Sequence, residues 1–229
     1  MSKRLLLILC ALTALIIVSL TVFKHHPKNG LDEKVNPAFG AYISAYTSGI
    51  ISNESHIRIR FASEVASIAE FDKQAKEEVF SFSPSLPGKA FWIDSRTLEY
   101  RPTSRMPSDQ KYEVSLSLGK LIQVPSEFKT FDFSFRTMPQ QMDVKVDGIK
   151  TIDRKTLAWE QLNGILSTAD AADNALVEKT VTATQDGKPL HLHWEHADPA
   201  THKFTVDSIQ RKTAAGKIEL NWNGEVISA

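Results

Sequence analysis

The chain has 229 residues, room for one large domain or two small ones of roughly 100–150 residues each. Lysine plus arginine and aspartate plus glutamate balance at 27 each, which argues against a duplex nucleic-acid binder while leaving room for a local basic patch. An apolar content of 42% excludes wholesale disorder, and the single cysteine, Cys10, leaves the rest of the chain without a disulfide, a cysteine-based zinc site or a thiol nucleophile.

The first predicted element is a membrane anchor. After Lys3 and Arg4 the chain runs from Leu5 to Phe23 without a charge, 19 residues that span ~28 Å as a helix, close to the hydrocarbon thickness of a bilayer. A cleaved secretory signal has a shorter apolar core and ends on small residues, whereas this run ends on Val22 and Phe23, so an uncleaved anchor is the favoured reading. Lys3 and Arg4 place the N-terminus on the cytoplasmic side. Cys10 lacks the small residue a lipoprotein box needs before it, since Leu9 stands there, and is read as a residue of the membrane helix. The segment 25–40 turns polar, with Pro27, Gly30 and Pro37, and reads as a tether.

From there the sequence alternates with period two. "HIRIRF" sets Ile57, Ile59 and Phe61 against His56, Arg58 and Arg60. "VFSFSP" does so with Phe80 and Phe82, and "TLEYRP" sets Leu98 and Tyr100 against Thr97, Glu99 and Arg101. "KYEVSLSLG" and "FDFSFRT" continue with Tyr112, Val114, Leu116 and Leu118, then Phe131, Phe133 and Phe135. Such runs, broken by Pro84, Pro87–Gly88 and Asp94–Ser95, are half-buried antiparallel strands and their corners. One helix is expected, over "SIAEFDKQAKEEV", where Ser67 and Glu70 have capping-box spacing.

After "RTMPQQ" a second set begins with Met142, Val144 and Val146, then Leu157, Trp159, Leu162 and Leu166. Asp186–Gly187 and Asn223–Gly224 are tight-turn pairs, the latter leaving "EVISA" as a short return strand at most. The expected architecture is therefore all-β: two consecutive antiparallel β-sandwiches, 41–138 and 139–229, with a single merged sandwich as the alternative, behind an anchor at 1–24 and a linker at 25–40.

One cluster looks like chemistry. In "HLHWEH", His191, His193 and Glu195 share a strand face, a spacing that suits zinc or copper. Leu190, Leu192 and Trp194 occupy the other face as natural core, so the imidazoles are read as the solvent side of an ordinary strand. His196 points the other way and His202 lies across a loop, leaving no third or fourth ligand; no metal and no cofactor are expected. The acidic pairs Glu77–Glu78 and Asp170 with Asp173 read as solvated, and the four tryptophans read mostly as core. Asn53-Glu54-Ser55 fits an N-glycosylation acceptor, a match too common by chance to carry weight. With no Gly-rich phosphate loop, no Gly-x-Ser-x-Gly elbow and no nominated nucleophile or base, the chain is expected not to be an enzyme.

The stretches "NPAFGAYISAYTSGIISNESHIRIRF", "FSFSPSLPGKAFWIDSRTLEYRPTSRMPSDQKYEVSLSLGKL" and "FDFSFRT" resemble the N-terminal part of bacterial alpha-2-macroglobulin-like proteins of Bacteroidetes type, and bacterial immunoglobulin-like domains. "LNGILSTADAADNALVEKTVTA", "LHWEH" and "FTVDSIQR" are similar to the next macroglobulin-type domain of that family. The resemblance implies a scaffold in the cell envelope, in the periplasm or at the surface. Its partner would be a protein, either a protease or the rest of a macroglobulin-like assembly, with membrane contact through residues 5–23. The chain lacks Cys-x-Glu-Gln and a bait segment, so none of the family's functional residues carries over. The alternative is a free-standing immunoglobulin-like surface binding or adhesion module.

Overall fold

A computed structural model describes residues 35–75, 78–212 and 216–229. The expected anchor and most of the tether lie outside them. Among the described residues no helix is long and apolar enough to cross a membrane.

The fold is all-β. Four strands, β1 (Ile43–Tyr46), β3 (Ile57–Phe61), β6 (Thr97–Pro102) and β5 (Gly88–Trp92), pair antiparallel in the order β1-β3-β6-β5. A second sheet runs β2 (Gly49–Ile51), β8 (Phe131–Thr137), β7 (Lys111–Leu116), β4 (Phe80–Ser83), with β2 joined parallel to β8. The alternating residues of both sheets meet in one hydrophobic cluster holding Ile57, Ile59, Phe61, Leu98, Tyr112, Val114, Leu116, Phe131, Phe133 and Phe135. Burying each such side chain contributes about 1.5–3 kcal/mol, which is what holds the layers together. Of the two aromatics at the end of β5, Trp92 is the buried one, packed on Phe61.

Over its described residues the expected helix after Ser67 does not form. Glu70 accepts hydrogen bonds from the Ser67 backbone N–H and hydroxyl, each at 2.9 Å, but only one 3-10 turn, Ile68–Glu70, forms. Asp72 then takes a left-handed conformation (φ 57°), and Phe71 and Gln74 bridge to Trp92 and Phe91 of β5. Tertiary pairing of the apolar Phe71 overrides a local signal whose apolar stripe is poor. In β6, Glu99 was expected to face solvent beside Thr97; both are buried, Glu99 beneath the His56, Arg58 and Arg101 side chains that bond its carboxylate, and Thr97 beside Asp94, which accepts its hydroxyl.

The C-terminal part has its own cluster, including Leu162, Leu166, Val181, Phe204, Val206 and Ile209. It lies between a four-stranded sheet and a three-stranded one. The first has the order β13 (Leu192–Asp198), β14 (Thr201–Gln210), β10 (Trp159–Thr168), β9 (Met142–Thr151). The second has the order β12 (Lys188–Leu190), β11 (Val181–Gln185), β15 (Ile218–Trp222). Asp186–Gly187 closes the β11–β12 hairpin with both residues at positive φ, as a two-residue turn requires. Gly164 of β10 lies opposite Phe204 of β14, whose ring occupies the space a Cβ would take.

Several sequence expectations are corrected in this part. Leu157, Trp159 and Trp222 are exposed rather than core. Leu157 sits in a left-handed turn, and Trp159 and Trp222 stand near the ends of their strands. Asn223 starts a 3-10 turn, Gly224–Ile227, in place of a return strand, its side chain accepting from the Glu225 N–H. Residues Lys34–Ala229 form one compact unit.

Candidate functional site

The most organised polar site lies where the two clusters approach one another. Asp170, just after β10, was read from sequence as solvated; it is buried. Its Oδ2 accepts the backbone N–H of Asn53 at 2.6 Å, and its Oδ1 accepts the Ser52 hydroxyl at 2.7 Å and the Ala171 N–H at 2.8 Å. Ser52 and Asn53 follow β2, so the carboxylate ties the two parts of the chain together. Gln140, in the β8–β9 connection, completes the lock: its Oε1 accepts the Asp170 N–H at 3.0 Å and its Nε2 donates to the Asp170 carbonyl at 2.9 Å. Asn53 Nδ2 donates to the Ala171 carbonyl at 2.9 Å. The sequon asparagine is thus a buried structural residue whose amide nitrogen is already engaged. Charge-assisted bonds of this kind are the stronger ones.

An open cleft of about 580 Å³ lies beside the lock, lined by Arg105, Asp173, Asn174, His196 and Asp198 among others. Arg105 is held by Glu54 at 2.6 Å, and Asp173 caps the short helix Asn174–Val177 by accepting the Leu176 N–H. Glu78 is exposed, and its neighbour Glu77 lies outside the described residues. Chemically, the lock is a hydrogen-bonded pin, and the cleft offers solvent one guanidinium, two carboxylates and one imidazole.

The histidines divide as the strand alternation requires. His191 and His193 are exposed with Glu195, and His193 pairs with Asp207 at 2.7 Å. Among the described residues no group of three or more histidine, cysteine or acidic side chains could hold a metal ion. His196 and His202, set aside on sequence grounds, face each other across the β13–β14 pair with their Nδ1 atoms 2.8 Å apart. His202 is fully buried; His196 reaches on to Glu178 at 3.2 Å through Nε2. Burial, and then the neighbouring His196, push the His202 imidazole below its ordinary pKa, against the pull of Asp198. The signal for this pair was present. "HADPATH" is a turn sequence, and Asp198 accepts the Ala200 N–H at its corner, so a tight hairpin must set the two histidines opposite one another. No local signal marks Asp170, whose partners lie 117 and 118 residues away.

No family model and no curated protein matches the chain. Solved structures do match. L,D-transpeptidase 3 from Mycobacterium tuberculosis, in complex with a faropenem-derived adduct, is 16% identical over 44% of this chain and 39% of its own, at a TM-score of 0.29. An L,D-transpeptidase from Mycobacterium tuberculosis H37Rv is 12% identical over 69% of this chain and 60% of its own, at a TM-score of 0.30. The chain thus spans 39% and 60% of the length of these two. The solved chains it matches are L,D-transpeptidases, which are enzymes, so this finding stands against the expectation that the chain is not an enzyme, and that expectation is not carried further. At these TM-scores the likeness brings no substrate, activity or residue role to this chain. Neither solved chain is named as macroglobulin-like.

Proposed function

We propose that the chain is a membrane-tethered, envelope-facing scaffold of two consecutive β-sandwiches, 41–138 and 139–229, held as one stiff arm that presents its second sandwich to a protein partner. The observation that carries this reading is the Asp170 lock, which joins two separate hydrophobic clusters through buried, charge-assisted hydrogen bonds. A flexible linker between sandwiches would leave those groups to water. The uncharged run from Leu5 to Phe23 supplies the tether to the membrane. The resemblance to alpha-2-macroglobulin-like proteins supports the scaffold role and the envelope location. Protease trapping is left out, since the sequence holds no Cys-x-Glu-Gln.

Alkaline carbonate extraction, followed by protease added to spheroplasts, tests the reading. The full chain should stay with the membrane and lose its body to external protease. A chain released by carbonate, or one protected from protease, contradicts it.

A second reading, a free-standing immunoglobulin-like binding module working through a strand edge, draws on β9. That strand is ten residues long, stands at the edge of its sheet and exposes Val146 and Ile149. Capture of an envelope protein by the wild type but not by a Val146→Lys/Ile149→Lys variant favours it; equal capture favours the first reading.

A further inference from the structure

The outward face of the β1-β3-β6-β5 sheet is basic in a chain of zero net charge. Strand register sets its side chains in rows. Arg58 stands opposite Glu99, which stands opposite Phe91; Lys89 stands opposite Arg101; Arg60 stands opposite Thr97. The one carboxylate within these rows, Glu99, is buried and shared. It accepts Arg58 Nε at 2.6 Å and Arg101 Nε at 2.7 Å, with His56 Nδ1 at 3.1 Å. Both arginines are bound through Nε and keep exposed side-chain surface, and Arg101 is further fixed by stacking over the Phe91 ring at 4.5 Å. A fork held this way is preorganised for a phosphate oxygen pair. Between Arg58 and Arg60 runs a groove of about 480 Å³ whose walls include Tyr46, Thr47, Asp94 and Thr97.

The outer face of the opposing sheet serves as an internal control. There Lys111 pairs with Glu113 at 3.4 Å, Arg136 pairs with Asp109 at 2.7 Å, and Asp132 accepts from the neutral Ser115 hydroxyl, so that face carries no cation excess. Of the two outer faces of this pair of sheets, the cation excess therefore belongs to the β1-β3-β6-β5 face. The chain also enters the body on that sheet: the 3-10 turn Pro37–Ala41 leads straight into β1, its edge strand. Between Phe23 and the first described residue stand only residues 24–34, a reach of at most ~40 Å even fully extended.

We infer that this face docks on an anionic phospholipid surface, with Arg58, Arg60, Lys89 and Arg101 taking headgroup phosphates and Glu99 holding two of the guanidiniums in place. The inference rests on the proposed Leu5–Phe23 anchor, which brings the body within reach of a bilayer. Docking lays the first sandwich against the membrane and fixes the direction in which the second projects.

The test uses the body Lys34–Ala229, which contains every described strand and both clusters, sedimented with vesicles of phosphatidylcholine alone or with added phosphatidylglycerol. The body should pellet with the anionic vesicles, release with rising salt and ignore the zwitterionic ones. An Arg60→Gln/Lys89→Gln variant removes two cations without replacing any residue of the Glu99 cluster or adding a carboxylate beside it, and should lower the partition by about 30-fold, on the usual contribution of a basic residue near an anionic surface. Equal pelleting with both vesicles, none with either, binding to soluble polyphosphate but not to anionic vesicles, or a variant that binds like the wild type overturns the inference. Failure of the anchor is read separately. A full chain released by alkaline carbonate, with a body that still binds anionic vesicles, removes the anchor and keeps the face. A full chain that resists carbonate, with a body that ignores them, removes the face and keeps the anchor.

Discussion

The Asp170 carboxylate accepts the Asn53 backbone N–H at 2.6 Å, across 117 residues of sequence. The same carboxylate also holds the Ser52 hydroxyl and the Ala171 N–H, so three donors from two parts of the chain converge on one buried acid. Truncation to Asp170→Ala leaves these donors buried and unpaired, and should cost roughly 3 kcal/mol in urea unfolding. Asp173, exposed nearby, makes a capping bond only, and its alanine variant should cost about 1 kcal/mol. Equal costs for the two would contradict the assignment of Asp170 as the pin.

Glu99 makes a second prediction. Burial works to raise its carboxyl pKa, but the bonds from Arg101 and Arg58 and the charge of His56 outweigh it, and the group sits below its ordinary value. A depressed carboxylate contributes stability above its unfolded pKa, near 4.5, and loses it as pH falls through the folded value. The wild type should therefore lose stability relative to Glu99→Gln between about pH 5 and pH 3. At pH 7 the variant should be weaker by about 1–3 kcal/mol. Parallel pH profiles for the two would refute this.

His202 titrates in the same sense in a higher pH window. Its imidazole is lowered below the ordinary 6.5 by burial and by His196, so the unfolded chain takes up a proton that the folded chain resists. Stability should be full above about pH 7 and fall as pH drops through 6.5, by at most about 1.4 kcal/mol per pH unit. Urea midpoints at pH 7.5 and 5.5 measure it. The slope attributable to this site should vanish in His202→Phe, and an unchanged slope would contradict the lowered His202 imidazole.

Gly164 should tolerate no side chain. The Phe204 ring fills the place of its missing Cβ, so Gly164→Ala must push the ring off the second cluster at a cost of about 1–3 kcal/mol. Gly40 has open space at that position, and its alanine variant serves as the comparison in the same thermal melt.

What the sequence could show follows from which forces are local. The buried sets Ile57, Ile59, Phe61 and Tyr112, Val114, Leu116 follow from period-two alternation, because a strand with one covered face must alternate. Asp186–Gly187 was legible for the same reason, its turn being encoded in two residues. The helix after Ser67 failed because a real capping signal competes with the pairing of Phe71 and Gln74 to β5, a contact between distant segments. Glu99 looked like a solvent-side residue because alternation sets its face but not the neighbouring His56, Arg58 and Arg101 side chains that close over it. Asp170 looked like one of two ordinary surface acids, and only its distant donors set it apart from Asp173.

The central claim is that the two layered parts move as one body pinned at Asp170. Spin labels at exposed Ser81→Cys and Lys145→Cys, in the cysteine-free body Lys34–Ala229, measure it by double electron–electron resonance. The account predicts one narrow distance distribution for the otherwise wild-type body and a clearly broadened one for Asp170→Ala. A distribution already broad with Asp170 in place would contradict it.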